Sequence, residues 1–148
     1  MNENIGSKVL IVDDVADNLK ILRDALEPEG YRIQVAYDGE TALKIAARAL
    51  PDIILLDIVM PVMDGYEVCQ RIKKEATTKQ IPVIFITIRD DNLSLVKAFQ
   101  AGGVDYITKP FEKEEVLMRV KTHLNISRLT RELLQKNKEL QQEISRRE

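Results

Sequence analysis

The sequence predicts an α/β fold of three layers, a parallel sheet with helices on both faces, and three observations carry that reading. Five short apolar runs alternate with five amphipathic stretches. Four of the runs are rich in β-branched residues, as expected of strands covered on both sides. Polar residues, mostly Asp, Thr and Lys, end four of the five runs on what becomes a single sheet edge.

The first run is Val9-Leu10-Ile11-Val12, stopped by Asp13 and Asp14. Leu19, Leu22 and Leu26 then recur at helical spacing until Pro28 and Gly30 break the pattern. Residues 32–36 alternate apolar and polar side chains, which suits a strand near the sheet edge. Ala42, Ile45, Ala46 and Ala49 mark a second helix ahead of Pro51. Ile53-Ile54-Leu55-Leu56 is nearly continuous in apolar character and ends at Asp57. Asp64-Gly65 reads as a turn and helix start before a third helix over 66–75. Val83-Ile84-Phe85-Ile86 ends at Thr87, and a fourth helix over 93–101 closes at Gly102-Gly103. The fifth run, 104–108, ends at Lys109. Successive parallel strands joined by helices require right-handed crossovers.

From Glu112 onward there is no Gly or Pro, so one long helix is expected. Val116, Leu117, Val120 and Leu124 can pack on the sheet. Beyond them Ile126, Leu133 and Leu140 repeat every seven residues, flanked by a second row of Thr130, Asn137 and Ile144. Rows spaced alternately by three and four form a coiled-coil seam, with Asn137 at an a position where it can fix register and a two-stranded state. Leu129 and Leu134 blur this pattern, and the alternative is a single amphipathic helix lying on its own domain. The expected organisation is a tail over 1–7, a globular domain over 8–125 and a coiled-coil helix over 126–148. Because the helical pattern runs on through Glu148 with no terminating signal, a longer protein with an output domain, such as a cyclase, phosphodiesterase or kinase, is expected.

The 148 residues suit one domain, with 45% hydrophobic and 31% charged residues arguing against disorder. A formal net charge of -2 supplies no field that would draw the chain to nucleic acid or an anionic membrane. No apolar run approaches the roughly 20 residues needed to span a bilayer. The single cysteine, Cys69, cannot close an internal disulfide, which suits a reducing cytoplasm, and its place beside Val68 on a helix suggests a small core residue.

Ligands of open parallel sheets bind beyond the carboxyl ends of the strands, so Asp13, Asp14, Asp57, Thr87 and Lys109 are the candidate site. Three carboxylates at one edge repel one another unless protons or a cation neutralise them. All-oxygen ligands favour a hard ion, Mg²⁺ or Mn²⁺. Asp57 could then attack phosphorus as a carboxylate nucleophile, with Lys109 and Thr87 contacting phosphoryl oxygens. Taken singly, Asp13 or Asp14 could merely cap the following helix, and Tyr106 could be a half-buried aromatic.

Residues 8–125 resemble the receiver domain of bacterial response regulators. The motifs are Val9-Leu10-Ile11-Val12-Asp13-Asp14, the run from Leu55-Leu56-Asp57 through Met60-Pro61 to Met63-Asp64-Gly65, Thr87, and the run from Gly102-Gly103 through Asp105-Tyr106 to Lys109-Pro110-Phe111. The resemblance implies a flavodoxin-like sheet of order 2-1-3-4-5. It further implies that Asp57 accepts a phosphoryl group from a sensor histidine kinase, and that Asp14, Asp57 and the Val59 backbone carbonyl bind Mg²⁺, with Asp13 acting through water. Thr87 and Tyr106 would be the switch pair, Lys109 the phosphate-binding lysine, and Lys109-Pro110 a cis peptide. The same resemblance makes the domain a phosphoacceptor rather than an enzyme, while the heptad rows of the last helix make a homodimer through it the expected assembly.

Ile88 departs from the family, in which a small residue follows the switch threonine, and a branched side chain there is expected to narrow access to the site. Val59 and Arg89 stand where family members tune phosphoryl lifetime. His123, the only histidine, lies mid-helix and is read as structural rather than as a phosphodonor. Two competing functions differ in kind. A phosphatase with an aspartate nucleophile needs Asp-x-Asp, but Val59 stands two beyond Asp57; a phosphorylation-silent dimerisation scaffold would have no use for the acidic site.

Overall fold

The computed structural model describes residues 4–88 and 91–147. Five parallel strands, β1 (Lys8–Val12), β2 (Arg32–Ala36), β3 (Ile53–Asp57), β4 (Val83–Thr87) and β5 (Asp105–Thr108), form one sheet. Its order is β2-β1-β3-β4-β5, the order that the resemblance implies. Between the strands run α1 (Ala16–Leu26), α2 (Gly39–Ala49), α3 (Gly65–Lys74) and α4 (Asn92–Gln100); α5 (Lys113–Arg147) closes the domain and continues well beyond it.

Alternation of side chains along each strand sends successive residues to opposite faces. Leu10, Val12, Ile54, Leu56, Val83 and Phe85 meet α2, α3 and α4 on one side. Val9, Ile11, Ile53, Leu55, Ile84 and Ile86 meet α1 and the first turns of α5 on the other. The central strands β3 and β4 are buried at every residue, whereas β2, at the edge, is buried only at Ala36. This is the contrast expected from its alternating sequence. Cys69 lies in the core, where burial pushes its thiol up to about 11, so it is a packing residue.

Three helices begin on an aspartate that accepts a backbone N–H three residues on: Asp38 from Thr41, Asp64 from Glu67 and Asp91 from Ser94. The exception is α1, whose N-cap is Val15. Asp13 and Asp14, which could have capped it, stand before the cap instead, and Asp13 Oδ1 accepts the Val15 N–H at 2.9 Å.

The segment before β1 packs on the domain. Asn4 is buried; its amide donates to Asn125 Oδ1 at 2.9 Å, and its carbonyl oxygen accepts from Arg128 at 3.2 Å. Asn4 thereby holds α5 where it leaves the globular part. From Leu129 through Arg147 every residue of α5 is exposed, so this stretch does not lie on its own domain. No helix among the described residues is long and apolar enough to cross a membrane.

Candidate phosphoacceptor site

The chain reverses direction across the sheet between β1 and β3, and the carboxyl ends of these strands carry Asp13, Asp14 and Asp57. Register brings them level: Val12 pairs with Leu56, Asp57 with Ile86, and Thr87 with Thr108. Every sequence-predicted residue of the acidic site thus arrives at one edge. Carboxylate oxygens of Asp13, Asp14 and Asp57 lie within 4.8 Å of one another. Asp13 and Asp57 are buried and Asp14 is exposed.

Lys109 reaches into this cluster from the end of β5. Its Nζ is 3.0 Å from Asp13 Oδ2 and 3.5 Å from Asp57 Oδ1. The Lys109 N–H donates to the Thr87 carbonyl at 2.7 Å, so β4 and β5 fix where the lysine starts. The Lys109-Pro110 bond is cis, as the resemblance implies.

Burial and the neighbouring Asp13 push the Asp57 carboxyl up to about 6, against the opposing pull of Lys109 and of the Val59 N–H, which donates to it. A carboxylate so poorly compensated by protein groups is suited to a bound cation, and an all-oxygen cluster with one exposed member suits a hard divalent ion that keeps part of its water.

Thr87 is fully buried at the end of β4. Tyr106 is half-buried against the core cluster of Val83 and Phe85, with its hydroxyl oxygen covered. Ile88 is 72% exposed and lines a shallow depression with Ile21, Lys109 and Phe111. The Val59 side chain is also exposed. Arg89 lies outside the described residues.

Two features of the β3–α3 loop were not legible as site features. A Cβ on Gly65 would overlap the carbonyl oxygen of Asp57, and the Gly65 N–H donates to the Ile58 carbonyl at 2.8 Å. The glycine therefore lets α3 start directly against the Asp57 backbone. Before it, Met63 N–H donates to the Pro61 carbonyl at 2.8 Å around Val62, whose φ is 70°. This is a three-residue turn with a β-branched residue in the left-handed region, a strained choice.

At the far side of β5, Asp105 accepts from the Tyr106 N–H at 2.8 Å and from Arg119 at 2.8 and 2.9 Å, and it lies 2.8 Å from His123 Nε2. Burial works against its charge, but these bonds hold its carboxyl below the usual carboxylate range. His123 is thus a structural partner on α5, remote in function from the acidic edge.

Comparison with known proteins agrees with this geometry. The response regulator receiver domain family matches residues 9–121. The response regulator PleD of Caulobacter vibrioides is 39% identical over 132 residues, which cover 89% of this chain and 29% of that protein. The chain therefore spans under a third of the length of this curated relative. A two-component response regulator from Clostridium difficile superposes with a TM-score of 0.76 at 32% identity, covering 80% of this chain and 96% of the other. NtrX from Brucella abortus does so with a TM-score of 0.83 at 28% identity over 90% of this chain and 31% of its own. Sequence, sheet order and site agree, and the chain belongs to the response-regulator receiver family.

Proposed function

We propose that this domain accepts a phosphoryl group on Asp57 from a sensor histidine kinase and converts the modification into a change felt by α5. The observation that supports it most directly is the acceptor's setting. Asp57 is a buried carboxylate at the switch point of the sheet, with two further carboxylates within 4.8 Å and one lysine 3.5 Å away.

In the transfer, a carboxylate oxygen of Asp57 attacks phosphorus and the bond from phosphorus to the donor's imidazole nitrogen breaks. The imidazole leaves and takes up a proton. Asp14, Asp57 and the Val59 carbonyl would hold Mg²⁺ or Mn²⁺, with Asp13 acting through water, and the ion supplies charge screening for the approaching phosphoryl group. Lys109 needs to move little to meet a phosphoryl oxygen. Thr87 offers its hydroxyl from the next strand, and Tyr106, packed inward beside it, would follow its movement. The group is taken up once per chain, so the domain acts as a switch rather than a turnover enzyme, with at most slow self-dephosphorylation. Nothing at position 59 supplies the acid/base carboxylate that a phosphatase reading needs.

The work is expected in the cytoplasm. α5 would carry the change to an output domain or partner, acting in a homodimer formed through the same helix. Mass spectrometry after incubation with acetyl phosphate and Mg²⁺ tests the acceptor. One added phosphoryl group on the wild type, absent from Asp57→Asn and absent with chelator, is expected. Equal labelling of wild type and Asp57→Asn would sink the assignment.

A further inference from the structure

Ahead of β1, residues 4–7 form a strap tied to the β1–β2 side of the domain. The Ser7 N–H donates to the Asn4 carbonyl at 3.0 Å, closing a β-turn with Gly6 at its third position, where φ is 86°. The Gly6 N–H donates to the Gly30 carbonyl at 2.8 Å, and the Arg32 N–H donates to the Ser7 carbonyl at 2.9 Å. The Ile5 side chain lies over Gly30, so close that a Cβ there would stand 3.1 Å from its Cγ1. Asn4 itself is 6% exposed, and a buried amide needs hydrogen bonds. It finds them on α5, donating to Asn125 Oδ1 and accepting from Arg128.

Around an α-helix each residue turns about 100°. With Val120 taken as zero, the buried Val116, Val120 and Leu124 span about 80° of α5. Arg119 and His123 then lie about 60–100° to one side, and Arg128 and Asn125 about 80–140° to the other. The apolar face of the helix is therefore flanked by two polar holds. Asp105 takes Arg119 and His123 on one flank, and Asn4 takes Asn125 and Arg128 on the other. They are the last holds before the helix becomes exposed at Leu129.

What stands behind each hold differs. The strap is fastened to β1 and β2, and β1 has a strand on either side. Asp105 opens β5, a strand at the sheet edge, and adjoins Tyr106.

We propose that the strap is a pivot. Asn4 fixes one flank of α5 to the inner strands while the flank held by Asp105 follows β5, so phosphorylation at Asp57 turns the helix about Asn4. The pivot rests on the reading of Asp57 as phosphoacceptor. Beyond Arg128 the helix is a lever: a turn of about 10° moves Gln142, about 21 Å further along, by about 4 Å. Without the strap the helix is held on one flank only, and both its resting direction and its response lose definition.

The test is the distance between nitroxides on Arg48→Cys, exposed on α2 across the sheet, and Gln142→Cys, exposed on α5, read by double electron–electron resonance. The native Cys69 is buried, and the labelled chain is diluted into unlabelled chain so that each distance lies within one molecule. Without donor or metal, this doubly labelled parent should give one narrow distribution, and adding Asn4→Ala should broaden it about twofold. Acetyl phosphate with Mg²⁺ should shift the parent by about 4 Å and leave Asn4→Ala without a resolved shift. Asn4→Ala should still label at Asp57 at the parent's rate, because the strap precedes β1 and the acidic edge follows it. Arg128→Ala removes part of the same hold from the helix side; alone it should broaden the distribution, and added to Asn4→Ala it should change nothing more. Equal widths in Asn4→Ala and parent before donor is added overturn the proposal. So do a full shift in Asn4→Ala, further broadening in the double variant, or no shift in a parent that is labelled at Asp57. A parent that takes no phosphoryl group refutes the acceptor reading instead, and the widths without donor still decide whether the strap directs the helix.

Discussion

Lys109 Nζ lies closer to Asp13 Oδ2, at 3.0 Å, than to Asp57 Oδ1, at 3.5 Å. The lysine thus acts as an internal counter-ion for the pair of buried carboxylates; under the proposed function it would turn to a phosphoryl oxygen only once Asp57 is modified. Lys109→Met leaves two buried carboxylates without their cation, which costs a folded protein of the order of 1–3 kcal/mol. Urea unfolding without divalent ion should show that loss at pH 7. The loss should shrink at pH 5, where Asp57, already pushed up to about 6, is largely protonated. Equal stability of variant and wild type at pH 7 would contradict the counter-ion role.

The Asp57 carboxyl itself carries the opposite sign. Its value in the fold, about 6, exceeds the ordinary 3.8. The folded state therefore binds the proton more tightly than the unfolded chain, and stability from this group falls as pH rises from about 4 to 6. Asp57→Asn removes that penalty, so the metal-free variant should be more stable than wild type at pH 7, by the order of 1–3 kcal/mol, and similar to it below pH 4. Mg²⁺ should raise the wild-type melting temperature more than that of Asp57→Asn. Calorimetry from pH 4 to 8 with and without Mg²⁺ checks both statements.

The loop that presents Asp57 should answer two substitutions in opposite directions. Gly65→Ala drives a methyl group into the carbonyl oxygen of Asp57, so the Asp57 backbone or the start of α3 must move. A loss of about 2–4 kcal/mol, with slower labelling by acetyl phosphate, is expected. Val62→Gly releases a β-branched residue from φ 70° at a side chain that makes no use of burial, being fully exposed. Relief of about 1–2 kcal/mol of strain, less the entropy a glycine adds to the unfolded chain, leaves a gain of up to about 1 kcal/mol. Urea midpoints that move the same way for both would refute this account of the loop.

What could be read in advance follows from the range of each interaction. The five strands announced themselves because β-branched runs and their side-chain alternation are local. The acidic edge was legible because its members end those strands, so reading the strands as parallel was enough to bring Asp13, Asp14, Asp57, Thr87 and Lys109 to one edge, while the strand order came from the family resemblance. Gly65 was read only as a turn residue; its closeness to the Asp57 carbonyl depends on how α3 returns to the sheet, which spacing does not encode. The hold of Asn4 on Asn125 and Arg128 spans more than 120 residues. The Asp105 cluster with Arg119 and His123 needs β5 and α5 side by side. Both are consequences of packing, and a lone Asn or His carries no pattern that would reveal them.

Ile88 was expected to narrow access to Asp57 and slow transfer; its exposure leads to the opposite expectation for a protein donor. The side chain is 72% exposed and lines a depression with Lys109, Ile21 and Phe111. Under the proposed function a small donor such as acetyl phosphate would approach past this exposed side chain, whereas a protein donor seating its imidazole over Asp57 would cover it. The two donors should therefore respond differently to Ile88→Ala. Labelling by acetyl phosphate and loss of the phosphoryl group to water should change by no more than about 2- to 5-fold, under 1 kcal/mol in barrier. Transfer from the phosphorylated kinase should fall further, through a weaker complex, because an exposed branched side chain at the contact contributes by being covered. Stability should be unchanged, since nothing in the core rests on this residue. Rapid-quench measurement of both reactions on one preparation decides the matter. If Ile88→Ala leaves kinase transfer, acetyl phosphate labelling and hydrolysis all at wild-type rates, the side chain has no role at the site.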